Sequence, residues 1–271
     1  MSTGMIEHKT LADDPSQTYY LYVPDGGGIG AKLFVSVHGI SRNAEEHAAL
    51  FAPFAEQYGV VMVVPLFDSS RFPDYNCLGR EGQGQRSDYA LERIVADAGR
   101  LTGANTDAIY LFGYSAGGQF AHRFVMAWPE RIKRCVIGAA GWYTFPDPVL
   151  AYPQGIGAFP DLPGVHPVPE RFLQVPTCIV VGELDTERTA SLNQEPEIDA
   201  QQGLNRIERG ERWARAMRTA AEARGIANEY RFATLPGSTH NFAKCMKLGR
   251  MGERVFEYLF EADRRCRITC E

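Results

Sequence analysis

The segment from Ala108 to Pro129 constrains this chain more than any other. Ala108-Ile109-Tyr110-Leu111-Phe112 is apolar, β-branched and aromatic, the composition of a buried strand. Gly113-Tyr114-Ser115-Ala116-Gly117 comes next, and then Gly118 to Trp128 repeats Phe120, Phe124 and Trp128 at helical spacing. Pro129 closes that helix, because the residue before a proline is driven out of the α region. Strand, G-x-S-x-G and helix in that order describe a sharp turn that presents one serine at the end of a sheet. Chain and helix pass so close there that Gly113 and Gly117 are expected to lack side chains for steric reasons. The competing reading is a glycine-rich turn that merely contains a serine.

Other runs of the same type lie on both sides of this segment. Thr18–Val23, Lys32–Val37, Val60–Val64, Arg134–Ala140, Thr177–Val181 and Tyr230–Ala233 read as strands. Asn43 to Tyr58, Asp88 to Ala98, Arg212 to Arg224 and Arg250 to Ala262 read as helices. Ser41 or Asn43 is the candidate N-cap of the first, and Gly59 its stop. Strands alternating with helices argue for an α/β fold with a mostly parallel sheet covered on both faces, whose sites lie beyond the carboxyl ends of the strands. Two segments break the alternation. Residues 142–172 carry seven prolines among aromatics, which rules out a long helix and suggests a cap-like insertion, a candidate lid, over the site. Residues 185–205 form a second long polar connection, to which no role is assigned.

At 271 residues the chain is long enough for a large core within one domain, expected to span 1–271. A net charge of −5 offers no basic footprint for nucleic acid. The first residues, Met1 to Lys9, carry no apolar core or cleavage signature of a secretory signal, and no apolar run is long enough to span a bilayer. The expectation is a cytoplasmic protein. Cys135 and Cys178 fall in strand-like runs and read as buried and reduced, and Cys266 and Cys270 near the C-terminus are expected to be free thiols in such a compartment. No Cys/His spacing matches a zinc site, so neither a metal nor a cofactor is expected. Oligomeric state is not legible.

A serine hydroxyl needs a base within hydrogen-bond reach to act as a nucleophile. His38 follows a strand and suits a turn, His47 and His122 lie within helices, and His8 and His166 fall in irregular segments. His240, in the loop after the last strand, can reach Ser115 from the sheet's carboxyl edge and is the candidate base. The base in turn needs an orienting carboxylate. Asp185, in the turn beyond Val181, is favoured, with Glu183 and Asp199 as alternatives. Backbone donors for a developing oxyanion are expected from Ala116, where helix amides are free, and from Ile40, pointed inward by a sharp bend at Gly39. Tyr114, Trp142, Tyr143 and Phe67 are candidate walls of an acyl pocket, each equally readable as core. Arg71, Arg80 and Arg86 read as solvated loop residues before an acidic-substrate site.

Taken together, Gly113 to Gly117, His38-Gly39 after a strand, Asp185 after a later strand and His240 in the last loop resemble an α/β-hydrolase from about Tyr19 to the final helix. Within that superfamily the chain is similar to bacterial carboxylesterases and to relatives of polyhydroxyalkanoate depolymerases. His38-Gly39-Ile40 departs from the His-Gly-Gly-Gly turn of hormone-sensitive-lipase-like esterases. The resemblance implies a sheet of about eight strands and a serine esterase acting through an acyl-enzyme on a small-molecule ester. Peptidase, amidase and thioesterase chemistry on the same fold are the alternatives, with a ligand-binding protein of low turnover as a reading of another class.

Overall fold

Wherever a run of β-branched and aromatic residues can be covered on both faces, it becomes a strand of one eight-stranded sheet. The computed structural model describes residues 3–261. The first half consists of β1 (Ile6–Thr10), β2 (Thr18–Tyr22), β3 (Lys32–Val37), α1 (Ala44–Tyr58), β4 (Val61–Leu66) and α2 (Ser87–Thr102). The strand and helix on either side of Ser115 are β5 (Asn105–Tyr114) and α3 (Ala116–Ala127), followed by β6 (Ile132–Gly138) and the short α4 (Pro169–Phe172). The chain continues through β7 (Thr177–Gly182), α5 (Pro196–Gln202), α6 (Arg206–Glu222) and β8 (Arg231–Leu235). It closes with α7 (Phe242–Lys247) and α8 (Met251–Phe256), which runs on as a π-helical turn over Glu257–Glu261.

The strand order is β1-β2-β4-β3-β5-β6-β7-β8. The first two strands are antiparallel to their neighbours, and all pairs from β4 to β8 are parallel. Successive side chains in a strand point to opposite faces. Phe34 of β3 packs on Phe51 of α1 and Phe256 of α8, while Leu33 and Val35 face the other way and are equally buried. Both faces are therefore covered, as the apolar runs require.

Most expected elements appear within a few residues of their sequence bounds, and the differences have physical causes. β1 is an edge strand whose residues are exposed or half-buried, so no apolar run marks it. α6 begins at Arg206, six residues before the expected start, because two arginines of its first turn are buried through specific partners rather than by being apolar. Asn43 is the N-cap of α1 but makes no side-chain cap bond; its amide pairs with Glu46 instead. Gly59 ends that helix in the left-handed conformation. The closing helix changes to π geometry after Phe256, and Ala262, Cys266 and Cys270 lie outside the described residues. Cys77, Cys135, Cys178 and Cys245 are buried free thiols. No helix among the described residues is long and apolar enough to cross a membrane.

The proline-rich segment 142–172 is fastened along the loop that precedes α2. Tyr152 donates to the Cys77 carbonyl, Glu81 N–H to Asp161 and Arg86 to the Pro163 carbonyl. Arg71 and Arg80 are committed to Asp14 and Asp74, and Arg86 to Asp88, so these cations hold loops together rather than facing a ligand.

Candidate active site

Ser115 sits between the end of β5 and the start of α3 with φ 56° and ψ −114°, a conformation that non-glycine residues rarely adopt. Its N–H donates to the Gly138 carbonyl and its carbonyl accepts from Gln119, so both sides of the strained peptide are tied down. The close approach expected at the flanking glycines is present. A Cβ on Gly113 would lie 2.0 Å from the Gly117 carbonyl oxygen, and one on Gly117 would lie 2.1 Å from the Val37 oxygen. No side chain fits at either position.

The loop after β8 brings His240 to this turn. His240 Nε2 is 3.0 Å from Ser115 Oγ, and Nδ1 is 2.7 Å from Asp185 Oδ2. A carboxylate only accepts, so Nδ1 carries the imidazole proton and Nε2 is left to accept from the serine hydroxyl. Ser115 is 8% exposed and Asp185 is buried. Of the three carboxylates considered, Asp185 alone meets the ring. Glu183 is exposed and accepts from the Gly237 N–H, steadying the His240 loop from outside. Asp199 is held between Arg188 and Arg209.

The Ala116 and Ile40 N–H groups have no hydrogen-bond partner among the described residues. Ala116 opens α3, where helix amides are free, and Ile40 lies beside the cleft. The bend before Ile40 is built differently from the sequence expectation. Gly39 has no left-handed φ, and a Cβ there would make only ordinary contact, 3.6 Å from Ser115 Cβ. The left-handed residue of this turn is Arg42, with φ 56°.

What holds the turn is His38, which sequence reasoning left as a turn residue. Its Nε2 accepts the Phe67 N–H at 3.0 Å, so its proton is on Nδ1, which donates to the Gly39 carbonyl at 2.8 Å. That carbonyl and the Ile40 N–H belong to one planar trans peptide and point in opposite directions. Turning the carbonyl inward to His38 turns the Ile40 N–H away from it, toward the cleft. Burial keeps the imidazole neutral, pushing its pKa down to about 4. A histidine directly after a buried strand and before the Gly39–Ile40 turn was the available signal.

A cleft of about 230 Å³ opens over Ser115. Its walls include Gly39, Ile40, Asn43, Glu46, Ser191 and Asn241. Tyr114 also lines it, with its ring stacked on the His240 imidazole at 5.4 Å and its hydroxyl turned inward to Cys245 Sγ. Burial raises the Tyr114 pKa well above the usual phenol value.

The other three aromatic candidates do not line this cleft. Phe67 is fully buried against Phe72, Tyr75 and Phe120. Tyr143 is equally buried and stacks on Trp213. Trp142 covers the Arg123 guanidinium at 4.4 Å. Each is a large ring just past a strand end, and there the core beneath the loops took the ring. No residue of 142–172 lines the cleft, whereas the 185–205 connection, expected to supply only a carboxylate, contributes Ser191.

No protein-family model matches the chain, and no match was found among curated proteins. Solved structures do match. A poly(aspartic acid) hydrolase from Sphingomonas sp. KT-1 superposes with a TM-score of 0.81 at 24% identity, covering 96% of this chain and 100% of that one. A poly(3-hydroxybutyrate) depolymerase from Bordetella parapertussis gives 0.77 at 24%, covering 95% and 91%. An S-formylglutathione hydrolase from Agrobacterium tumefaciens gives 0.60 at 16%, covering 94% of each chain. With the sheet order and the strand, turn and helix at Ser115, these likenesses establish that the chain has the α/β-hydrolase fold.

Proposed function

We propose that this protein is a serine hydrolase that cleaves carboxylic esters through an acyl-enzyme intermediate. The observation that carries the reading is the continuous hydrogen-bonded line from Ser115 Oγ through His240 to Asp185, at 3.0 and 2.7 Å. In this mechanism Ser115 Oγ attacks the ester carbonyl carbon while His240 Nε2 takes the hydroxyl proton. The carbonyl oxygen becomes an oxyanion facing the Ala116 and Ile40 amides. As the tetrahedral intermediate collapses, the carbon–oxygen bond to the alcohol breaks and His240 returns the proton to that alcohol. Water, deprotonated by the same histidine, then attacks the acyl-enzyme and releases the acid and Ser115.

The polar walls of the cleft favour a small ester with hydrogen-bonding groups over a long aliphatic chain. They also support a second reading, amide cleavage, since Asn43, Ser191 and Asn241 can pair with peptide-like groups, and one similar structure is a poly(aspartic acid) hydrolase. The test is fluorophosphonate labelling of the folded protein together with p-nitrophenyl acetate hydrolysis. Ser115 should be the labelled residue, and Ser115→Ala should lose labelling and all but residual turnover. A Ser115→Ala protein that hydrolyses the ester at the wild-type rate would refute the mechanism. Faster turnover of an aspartyl amide than of any ester in a panel would favour the second reading.

A further inference from the structure

The line from Ser115 uses only one oxygen of Asp185. The other, Oδ1, lies 3.3 Å from Nη1 of Arg206. Both side chains are almost completely buried, Arg206 at 0% and Asp185 at 1% exposure. Arg206 Nη2 donates to Ser191 Oγ at 2.9 Å, and Ser191 lines the cleft. Nε of Arg206 has no hydrogen-bond partner among the described residues.

A guanidinium is costly in so dry a place unless a carboxylate faces it. The fold does not need this cation to start α6, because Asn205 already caps that helix by accepting from the Glu208 N–H. The contrast with Arg209, one turn later and equally buried, is informative. Arg209 clamps the 185–205 connection through the Gly203 and Gly141 carbonyls and Asp199. For Arg206, the only charged partner among the described residues is the carboxylate that faces His240.

We infer that Arg206 is a positioning residue of the hydrolytic site, holding the Asp185 carboxylate with Oδ2 toward His240 and offsetting part of its charge. This rests on the serine-hydrolase reading above. The chemical consequence follows from what the base must do. An isolated buried carboxylate beside an imidazole favours the imidazolium, which has no lone pair to accept the serine proton. A cation on the far side of the carboxylate weakens that pull. The guanidinium is one carboxylate away from the ring, and a unit charge at on the order of 7 Å in a partly polar interior is worth about one to two pH units. Ser191 ties the same guanidinium to the cleft wall, so the wall and the triad acid share one anchor.

Other titratable groups surround His240. Tyr114 of β5 stacks on it, Cys245 of α7 bonds to the Thr239 carbonyl, Glu46 of α1 faces the cleft, and Glu183 holds Gly237. Lys244 is exposed on α7 next to the loop, and His47 stacks on Phe242. Among the described residues none of these is hydrogen-bonded to Asp185.

The experiment compares full-length wild type with Arg206→Gln, which removes the charge and keeps a donor, and Arg206→Lys, which keeps the charge and loses the fork. Arg206→Met replaces the glutamine variant if that one does not fold. The readout is the pH dependence of fluorophosphonate labelling and of p-nitrophenyl acetate hydrolysis. The neutral variant should shift the acid limb upward by about one to two pH units and lower kcat about tenfold with KM unchanged. Arg206→Lys should leave the limb in place. A neutral variant with a wild-type limb would overturn the inference, as would a lysine variant whose limb moves equally far. The His240 Nδ1 proton, observed as a downfield NMR resonance, gives a reading that needs no turnover. It should titrate at higher pH in the neutral variant, and an unchanged titration would also overturn the inference. Wild type that neither labels nor hydrolyses defeats the function reading instead, and the resonance still decides the role of Arg206.

Discussion

Replacing His38 with phenylalanine tests whether the Gly39–Ile40 turn, the proposed oxyanion donor, is held from behind. The ring packing on Phe67 and Tyr75, at 6.0 and 5.1 Å between centroids, can be kept by another ring, so the change removes chiefly the two nitrogens. The Phe67 N–H then loses its acceptor in a fully buried place, which costs about 1–3 kcal/mol. The Gly39 carbonyl loses one donor but keeps the Arg42 N–H at 3.0 Å, a smaller loss of about 1 kcal/mol. Stability should fall by about 2–4 kcal/mol, read by urea unfolding with an unchanged m-value. Activity should fall more steeply than that number suggests. With its carbonyl held on one side only, the Gly39–Ile40 peptide can tilt, and complete loss of one oxyanion donor costs about 10²–10³ in kcat. The donor acts on charge that develops in the transition state, so KM for p-nitrophenyl acetate should change less than about twofold. A His38→Phe protein with kcat within about threefold of wild type would refute the reasoning. A matched rise in KM with kcat unchanged would instead place His38 in ground-state binding.

The turn at Ser115 and the buried histidines yield further expectations. Gly117→Ala puts a methyl 2.1 Å from the Val37 oxygen and 2.6 Å from the His38 oxygen, both backbone atoms. It should destabilise by about 3–5 kcal/mol in chemical unfolding and abolish labelling of Ser115, and a protein of wild-type stability would contradict the packing described. His38, His47 and His122 are all held neutral by burial, with pKa values below the usual histidine range. Their folded values are depressed, so the unfolded chain takes up protons first as pH falls. Their stabilisation is whole above about pH 6.5 and is lost below it, at about 1.4 kcal/mol per pH unit for each histidine. Unfolding midpoints measured from pH 7 down to pH 5 should drop accordingly, and a flat profile would show that the rings protonate without unfolding. Asp185→Asn leaves the buried Arg206 without its carboxylate and should destabilise by about 3–5 kcal/mol. In the folded protein it should lower kcat by orders of magnitude through the wrong imidazole tautomer; a wild-type rate would mean that another group orients His240.

Much of this molecule was legible before any coordinates, for reasons that lie in local chemistry. A strand buried on both faces must be apolar along its length, so β3 to β7 announced themselves, and with them the parallel sheet. The turn at Ser115 was legible because its two glycines are required by contacts under 2.2 Å. Order along the chain placed Asp185 and His240 at the same edge as Ser115, though it could not choose among Asp185, Glu183 and Asp199. That choice depends on which carboxylate other groups have already claimed, and Arg188, Arg209 and the Gly237 N–H claim two of the three.

The aromatic residues show the limit most clearly. Tyr114, Trp142, Tyr143 and Phe67 are alike in type and in position after a strand, yet only Tyr114 lines the cleft. A large ring lowers free energy equally well in a pocket wall or beneath a loop, so sequence carries no sign that separates the two. The same holds for His38 and Arg206, polar residues whose roles come from partners 29 and 21 positions away. The serine on its turn was legible from the sequence alone, because a strand, G-x-S-x-G and a helix stand within twenty-two residues and the Gly113–Gly117 approach is local. The clash that bars a side chain at Gly117, by contrast, is with Val37 and His38 of a neighbouring strand and turn. The supports of that turn and of its acid were decided only by the tertiary structure, because a buried polar group takes its role from whichever distant donor or charge the fold brings to it.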